Sequence, residues 1–531
     1  MRPTLIKIAG LIVLWLGLCS SSLAGDLAGL VDWASCLDAP GRDCILDEAL
    51  MRALLVGTAA SQELGDIAGM QAAAGHLELA QRIARSIPGE QRARVIALAA
   101  IVRAYLGRGE VGDAERTLTQ AHRVADAIQD RLTRAEALLS IGQVEADAGM
   151  AAEASRTFSD SVAQADGVEI RAGSTCLLMT APEDRRDGLY RVVAEHLAKA
   201  GDIGGSVRVA RSIIYKPHLR SEALRVIGEI AAHDGKQSEA AAILRDAVDA
   251  ARATSPQWPS CPNMNVAFSP GYAVDLLGEI AQAQARIGAP EDVNATLDLA
   301  LQAISDIKDN AVWKAEVSGS LALSAIAETQ RKIGQTSQAE VTFRRAAQTA
   351  SEIENPRHRA TALIRLARAR HDNGHAADVT GTFNEAVGLA RALDKPAERA
   401  GELLNVVEAE VGLGLDAGPV LDEAIAAMRS IPEPSGRVYA LNRIARAQDG
   451  TGHPQDGLAS YAEALDTAEA TENLAQRRNA LFTIIRAWPG QPQSTRLVAA
   501  SSAPRLLRII DATAERQSAA ALIIIAKAMP Q

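Results

Sequence analysis

The chain has few aromatic residues: phenylalanine, tryptophan and tyrosine together make up 3% of its 531 residues. Sheet cores are enriched in aromatic and β-branched side chains, whereas close-packed helices accommodate small ones. Hydrophobic residues still make up 48% of the chain, and most of them are alanine, leucine, isoleucine and valine. The composition therefore favours an all-α protein.

Long hydrophobic runs are also absent after the first residues, so the sequence predicts no membrane span in the mature chain. The apolar run from Ile8 to Leu18 follows the basic residues Arg2 and Lys7 and precedes small residues that end at Ala24. This order is typical of a secretory signal peptide. We expect residues 1–24 to be cleaved and the mature protein to be periplasmic or secreted. An uncleaved N-terminal anchor is the alternative.

No excess of positive charge exists, because 65 acidic residues outnumber 55 basic ones and the formal net charge is −10. Loss of Arg2 and Lys7 with the signal would take it to about −12. Nucleic-acid binding surfaces need a basic excess, so a nucleic-acid partner is disfavoured.

Cysteine is scarce, and four cysteines remain after signal cleavage: Cys36, Cys44, Cys176 and Cys261. In an oxidising compartment this even number permits two disulfides, in three alternative pairings. Pro40-Gly41 is a turn signal between the first two, which predicts a Cys36–Cys44 disulfide. Cys176 and Cys261 are candidates for a second disulfide, with free thiols or other pairings left open. No CxxC spacing supports a zinc or thioredoxin-like site.

Local catalytic motifs are missing as well. The sequence contains no G-x-S-x-G, no G-x-x-x-x-G-K-[ST] and no H-E-x-x-H, which are signatures of hydrolases, nucleotide-binding proteins and zinc proteases. His371 and His375 have the spacing of helical metal ligands, but Asn373-Gly374 between them is a predicted turn. We therefore expect no catalytic residue, no cofactor and no metal site. An active site formed between distant segments stays open.

What the sequence does contain is an internal repeat, marked by a glycine every 34 to 40 residues in most cases. The glycines are Gly109, Gly149, Gly201, Gly235, Gly288, Gly334, Gly374, Gly414 and Gly452, with a more degenerate copy at Gly75. Large apolar residues stand eleven and eight positions before each glycine, for example Leu98 and Ile101. These positions share one helical face, and the residue seven before the glycine is usually small.

A second amphipathic pattern follows each glycine. Alanine often stands five and twelve positions after it, as at Ala240 and Ala247, and a large residue stands nine after, as at Phe158 or Phe343. The combined pattern resembles the tetratricopeptide repeat (TPR). It consists of large-x-x-Leu/Ile-small, a turn glycine and then A-x-x-x-F/L/Y-x-x-A. The resemblance covers about residues 95 to 470 and implies a right-handed superhelical solenoid of antiparallel helix pairs. The tyrosine that the family has four residues before the turn is present only as Tyr105.

The predicted organisation is a signal peptide (1–24), an N-terminal cap segment with Cys36 and Cys44 (25–63), a TPR-like array (64–475) and a C-terminal helical cap (476–531). Repeats longer than 34 residues require a longer second helix or a longer connection. Insertions are predicted near 167–187, with Cys176, and near 254–271, with Cys261 and several prolines. Insertions at equivalent repeat positions lie on one side of a solenoid.

The resemblance also implies that the first helix of each pair lines a concave surface that binds a protein or peptide partner. In the family, side chains ten, six and three residues before the turn glycine commonly face such a partner. In the row six before the glycine, the candidates here are Glu195, Glu229, Glu328, Arg368 and Arg446. Arg365 and Arg443 stand three residues before Arg368 and Arg446 and are candidates with them. The acidic residues lie in the central repeats and the arginines in the C-terminal ones. The same residues also fit ordinary solvated helix faces.

We therefore predict an exported TPR-like scaffold for protein–protein interaction, with a partner of unknown identity. Two alternatives from other classes are an envelope enzyme, or a regulatory subunit of one, and a self-associating structural protein. The sequence predicts neither the oligomeric state nor the process in which the protein acts.

Overall fold

The computed structural model describes residues 42–56, 60–89, 91–168, 182–254, 271–308, 315–371 and 376–487, together with Leu522. Across these ranges the chain is helical apart from turns and short connections, and it contains no strand. Two compact units are present. Unit 1 comprises residues 1–149 and 431–531, and unit 2 comprises residues 150–430.

The helices follow one another at short intervals. The first eleven are α1 (Arg42–Val56), α2 (Ser61–Ala73), α3 (Leu77–Ser86), α4 (Gln91–Gly107), α5 (Val111–Asp126), α6 (Arg131–Asp147), α7 (Ala151–Asp166), α8 (Pro182–Lys199), α9 (Ile203–Arg211), α10 (Pro217–His233) and α11 (Gln237–Arg252). The others are α12 (Gly271–Arg286), α13 (Pro290–Lys308), α14 (Ala315–Lys332), α15 (Thr336–Ser351), α16 (Pro356–His371), α17 (Ala376–Arg391), α18 (Pro396–Gly412), α19 (Gly418–Arg429), α20 (Pro434–Gly450), α21 (Pro454–Glu469) and α22 (Leu474–Ala487).

From α2 onward, even-numbered helices are the first and odd-numbered helices the second members of antiparallel pairs inside a unit, whereas α6 ends the first segment of unit 1 and α7 begins unit 2. Within each unit, a first helix packs on its own second helix and on the first helix of the next pair. In unit 2, for example, α10 packs on α11, α8 and α12. Each pair thus buries its apolar face against its neighbours, as in helical repeat proteins. The predicted all-α fold of antiparallel helix pairs is confirmed.

The turn between the two helices of a pair depends on the predicted glycines. Those in the described residues have φ between 68° and 91°: Gly75, Gly109, Gly149, Gly201, Gly235, Gly288, Gly334, Gly414 and Gly452. Gly374 lies outside the described residues. In eight of these nine turns, the N–H of the next residue bonds to the carbonyl of the residue four before the glycine, as in Lys236 N to Ala231 O at 2.9 Å. This pattern ends a helix in a left-handed residue, and glycine adopts that conformation without strain.

The predicted apolar rows form the core. Each residue in the row eleven positions before the glycine is at most 5% exposed, and each in the row eight before is at most 1% exposed. In the second helices Phe158, Phe343, Phe383 and Tyr461 are also fully buried or nearly so. Burying one large apolar side chain contributes about 1.5–3 kcal/mol, so these rows supply the main attraction between the helices.

The variable repeat length arises in the second helix. Gly201 and Gly235 are 34 residues apart, and the second helix between them, α9, has 9 residues. Gly109 and Gly149 are 40 residues apart, and their second helix, α5, has 16 residues. Of the two explanations that the sequence left open for this spacing, the structure thus shows the longer second helix.

Buried polar links occupy, in several pairs, the position where the tetratricopeptide repeat has a tyrosine. Four residues before the turn glycine stand Gln284, Gln330 and Gln448, and the side-chain carbonyl of each accepts a hydrogen bond from a hydroxyl of the second helix. The donors are Thr296 at 2.8 Å, Thr342 at 2.7 Å and Ser460 at 2.7 Å. A buried amide needs such a partner. Because the glutamine position and its hydroxyl donor recur together in three pairs, this hydrogen bond is a feature of the repeat.

Candidate binding surface on the first helices of unit 2

A polar cleft of about 260 Å³ opens on three successive first helices of unit 2. It is lined by Arg191 and Glu195 of α8, by Glu222, Arg225 and Val226 of α10, and by Asp275, Leu276 and Glu279 of α12. We call these eight residues the α8–α12 cleft. Among the residues that the structure describes, the wall contains none from a second helix.

The helical period explains why these side chains meet. On α10, Leu224 and Ile227 are buried against the neighbouring helices. Glu222 and Arg225, three residues apart, lie on a different face and are half-buried. Because α8, α10 and α12 pack side by side, the corresponding faces of the three helices form one continuous surface. The core rows therefore determine which residues line the cleft.

Two ion pairs fix Arg225 within this surface. Its Nη1 lies 3.1 Å from Glu229 Oε1 on the same helix, and its Nε lies 3.1 Å from Glu279 Oε2 on α12. Arg286 of α12 also pairs with Glu229, so two arginine–glutamate contacts join α10 to α12. On α8, Arg191 Nη1 lies 2.7 Å from Glu195 Oε1. Both arginines of the cleft are thus already neutralised by glutamates.

The cleft as a whole carries an excess of negative charge. Its wall has four carboxylates and two guanidinium groups. Asp275 is exposed as a residue, yet the protein atoms around its carboxylate remove part of its hydration, and this raises its pKa. Arg365 of α16 opposes the rise and Glu279 adds to it. The loss of hydration is thus the main cause of the raised pKa of Asp275, and the effect of Arg365 is larger than that of Glu279.

The predicted partner-binding residues of unit 2 differ in their surroundings. Glu195 lines the cleft, and Glu229 supports it through Arg225 and Arg286. Glu328 is half-buried on α14. Arg365 and Arg368 are exposed on α16, outside the cleft wall. In the part of the chain that the structure describes, Arg368 forms no ion pair.

The two predicted arginines of unit 1 are less accessible. Arg443 is only 6% exposed, and its guanidinium lies 5.8 Å from the centre of the Tyr439 ring. This distance is within the range of a cation–π contact. Arg446, on the same helix, is half-buried. The Arg443 guanidinium is therefore packed inside unit 1 rather than presented to solvent.

Sequence reasoning missed most of the cleft. Arg191 and Arg225 stand ten residues before their turn glycines, a row that the TPR resemblance marks as facing a partner. Glu222 and Asp275 stand thirteen before, one helical turn further towards the N terminus. Both rows can be recognised in the sequence from their distance to the turn glycine. The contact between Arg225 and Glu279 cannot be recognised in this way, because it joins helices from different repeats.

Outside the cleft, the buried carboxylate of Asp187 has a structural role. Asp187 of α8 is fully buried, and its Oδ2 accepts hydrogen bonds from the backbone N–H groups of Tyr215 and Lys216, both at 2.8 Å. Burial raises the pKa of Asp187, and these two bonds oppose the rise. Because Lys216 immediately precedes α10, the carboxylate caps that helix from the neighbouring first helix.

The remaining sequence predictions can be compared with the structure only in part. Cys44 of α1 is disulfide-bonded. Cys36, Cys176 and Cys261 lie outside the described residues, so the Cys36–Cys44 pairing stays a prediction. His371 ends α16, and His375 is also outside the described residues. Within those residues no group of three or more His, Cys, Asp or Glu side chains is arranged to hold a metal ion.

The described helices also include none that is both long and apolar enough to cross a bilayer. The paired helices, the glycine turns and the first-helix cleft define the class of the protein, which is an all-α helical repeat protein. No protein-family model matches the sequence. No curated protein matches it either.

Several solved structures are similar to parts of the chain. Ton1535 from Thermococcus onnurineus NA1 is 13% identical, with a TM-score of 0.25, and the match covers 78% of this chain and 97% of that one. The apo form of the quorum sensor NprR from B. thuringiensis is 12% identical, with a TM-score of 0.22, over 76% and 97% of the two chains. The human IFIT1 dimer with PPP-AAAA is 13% identical, with a TM-score of 0.21, over 80% and 94%. Because every one of these TM-scores is below 0.5, we draw no function from them.

Proposed function

We propose that this chain is a member of the TPR family and a non-catalytic scaffold that binds another protein, or a segment of one, through the first helices of unit 2. The observation that carries the proposal is the α8–α12 cleft, which opens on three consecutive first helices. Its charged side chains lie away from the apolar core rows. Helical repeat proteins commonly use such extended surfaces for binding.

Photo-crosslinking tests this proposal. A photoreactive phenylalanine analogue is placed at Val226, in the cleft, and in a matched variant at Val341, which is 57% exposed on the second helix α15. Irradiation in the native host should yield one discrete heterologous adduct from position 226 and none from position 341. Equal adducts from both positions, or only adducts between copies of this chain, would contradict a heterologous partner on the first helices.

We further propose that the scaffold acts in the periplasm or outside the cell. The support is the order of charge, apolar run and small residues in residues 1–24. N-terminal sequencing of the protein purified from its host should begin at Gly25, and the protein should be found in the periplasmic or secreted fraction. A protein that starts at Met1 and stays in the cytosolic fraction would refute export.

A further inference from the structure

Helix α16 of unit 2 is strongly basic, in a chain that has more acidic than basic residues. Its sequence, PRHRATALIRLARARH, contains five arginines and neither aspartate nor glutamate. Two of the arginines have acidic partners on neighbouring helices. Arg357 Nε lies 2.9 Å from Glu402 Oε1 of α18. Arg359 pairs with Glu385 of α17. The positive charge of α16 is therefore neutralised only in part by the rest of the unit.

Arg365 and Arg368 are the exposed arginines in the second half of this helix. Among the described residues, neither side chain has a partner within hydrogen-bond or ion-pair distance. They are three residues apart, so they are neighbours on one helical face, with about 5–6 Å between their Cβ atoms. Two like charges at this separation repel each other, and a carboxylate at each of them replaces that repulsion by attraction.

Arg365 also connects α16 with the α8–α12 cleft. Burial raises the pKa of Asp275 on α12, and Arg365 opposes this rise, so its charge acts on α12 although α14 packs between the two helices. Arg365 stands nine residues before its turn glycine, and the equivalent residue of α14 is Ala325. Because alanine is short, no bulky side chain separates α12 from α16 at this position. The exposed face of α16 therefore continues the first-helix surface that contains the cleft.

We propose that Arg365 and Arg368 bind two acidic side chains of an extended segment of a protein partner. This inference rests on the proposed scaffold function and specifies the ligand chemistry at one part of the same first-helix surface. Charge complementarity is the argument, because each guanidinium presents a planar set of N–H donors that matches a carboxylate. Such a segment supplies the carboxylates that the described residues of the protein do not place beside these two arginines.

The spacing of the two arginines specifies the acidic motif. In an extended segment, side chains two residues apart point to the same side and are about 6.6 Å apart. This separation is close to the distance of about 5–6 Å between Arg365 and Arg368 on their helix. Adjacent residues of an extended segment point to opposite sides. The expected motif therefore has two acidic residues with one residue between them, in a segment that lies along α16.

Binding of three fluorescent twelve-residue peptides to the purified full chain tests the inference. The alternating peptide has four glutamates at every second position, and the other positions are glycine and serine. The paired peptide has the same four glutamates as two adjacent pairs with four residues between the pairs, so that no two glutamates are two positions apart. The glutamine peptide has glutamine in place of each glutamate of the alternating peptide.

Fluorescence anisotropy at low salt should show that the alternating peptide binds about tenfold more tightly than the glutamine peptide. Tenfold corresponds to about 1.4 kcal/mol, which two exposed ion pairs together can supply. The paired peptide should bind about threefold less tightly than the alternating one, because only one of its carboxylates at a time faces an arginine. The preference for the alternating peptide should shrink as salt rises and screens the charges.

Charge reversals locate the binding. Arg365→Glu combined with Arg368→Glu should abolish the preference for the alternating peptide over the glutamine peptide. Arg344→Glu combined with Arg345→Glu changes the net charge equally at exposed positions of the second helix α15, so this variant should keep most of the preference. Arg365→Gln combined with Arg368→Gln repeats the test without a new negative charge near Asp275. Circular dichroism of each variant checks the helical content.

The outcomes separate this inference from the scaffold proposal. If the alternating and glutamine peptides bind equally, or the two double charge reversals act equally, the arginine site is wrong, and a heterologous crosslink at Val226 still supports the scaffold. Equal binding of the alternating and paired peptides would contradict the expected spacing. If Val226 yields no heterologous adduct, the scaffold proposal fails, and the assignment of the arginines to a partner segment fails with it. Selective loss in the α16 variants, together with the crosslink, supports both.

Discussion

Thr296 Oγ1 donates a 2.8 Å hydrogen bond to Gln284 Oε1, and both residues are at most 2% exposed. This contact joins the first helix α12 to its second helix α13 inside the core. Its equivalents recur in two other pairs, at Gln330–Thr342 and Gln448–Ser460. Since a buried amide without a partner is costly, the bond specifies how the two helices align rather than only adding attraction.

We expect Thr296→Val to lower the free energy of unfolding by about 1–3 kcal/mol, because it leaves the Gln284 carbonyl buried without a donor. Gln284→Leu combined with Thr296→Val should recover much of that loss, since no unpaired polar group remains. Urea titrations of the two single variants and the double variant form a double-mutant cycle. Additive effects would show that the hydrogen bond has no coupling energy.

Two glycine-to-alanine substitutions should have opposite effects. At Gly228 an added Cβ would lie 2.9 Å from Leu244 Cγ and Cδ2, and Leu244 is fully buried, so we expect a loss of about 1–3 kcal/mol. At Gly188, in helix α8, an added Cβ meets nothing within 4 Å. Alanine there should stabilise by about 0.5–1 kcal/mol through its better helix propensity. Thermal unfolding of the two variants checks the signs, and a stabilised Gly228→Ala variant would contradict the close helix approach.

Glu410 gives stability a pH dependence. Burial, reinforced by Asp416, raises its pKa from 4.5 to about 7. Between these values the folded state keeps a proton that the unfolded state has released, so the contribution of Glu410 to stability falls as pH rises from about 4.5 to about 7 and then levels off. Glu410→Gln should remove this decline.

The measurement is urea unfolding of wild type and Glu410→Gln at several pH values. The stability of the variant relative to wild type should increase from pH 4.5 to 7 and be constant above. Glu115→Gln, at an exposed position of α5, is the control for the loss of a carboxylate that is not buried. A constant difference for Glu410→Gln would mean that Glu410 titrates normally.

Peptide mapping without reductant should identify Cys36 as the disulfide partner of Cys44. The expectation rests on the Pro40-Gly41 turn between the two cysteines and on the disulfide-bonded state of Cys44. A peptide linking Cys44 to Cys176 or Cys261 would reject this pairing. Reduction should lower the stability of the native protein, because opening a disulfide enlarges the unfolded ensemble.

Much of the fold was readable from the sequence because its signals are local. The turn glycine at Gly235, the large residues Leu224 and Ile227 before it, and the alanines after it all lie within one pair of helices. Each signal has a direct physical basis: a positive φ, an apolar helical face and a close helix approach at Gly228. The same signals recur in nine successive repeats, so the pattern can be recognised in the sequence alone.

The binding surface was less predictable, and two arginines illustrate why. Arg365 and Arg443 both stand nine residues before a repeat glycine, so their sequence signal is the same. Arg365 is exposed, whereas Arg443 is 6% exposed and lies over the ring of Tyr439, one turn earlier. At the position equivalent to Tyr439 the earlier repeat has Thr361, which offers no ring.

The amino-acid pattern is enough to predict that the chain forms paired helices, where each pair turns and which side chains enter the core. These properties follow from backbone conformation and helical period within about 40 residues. The packing of successive pairs, by contrast, brings Arg225 to Glu279 and places Asp275 with Glu195 and Glu222 in one cleft. The reason is that such contacts depend on how successive pairs stack, and the angle and offset of that stacking come from the summed packing of many side chains that no single repeat contains.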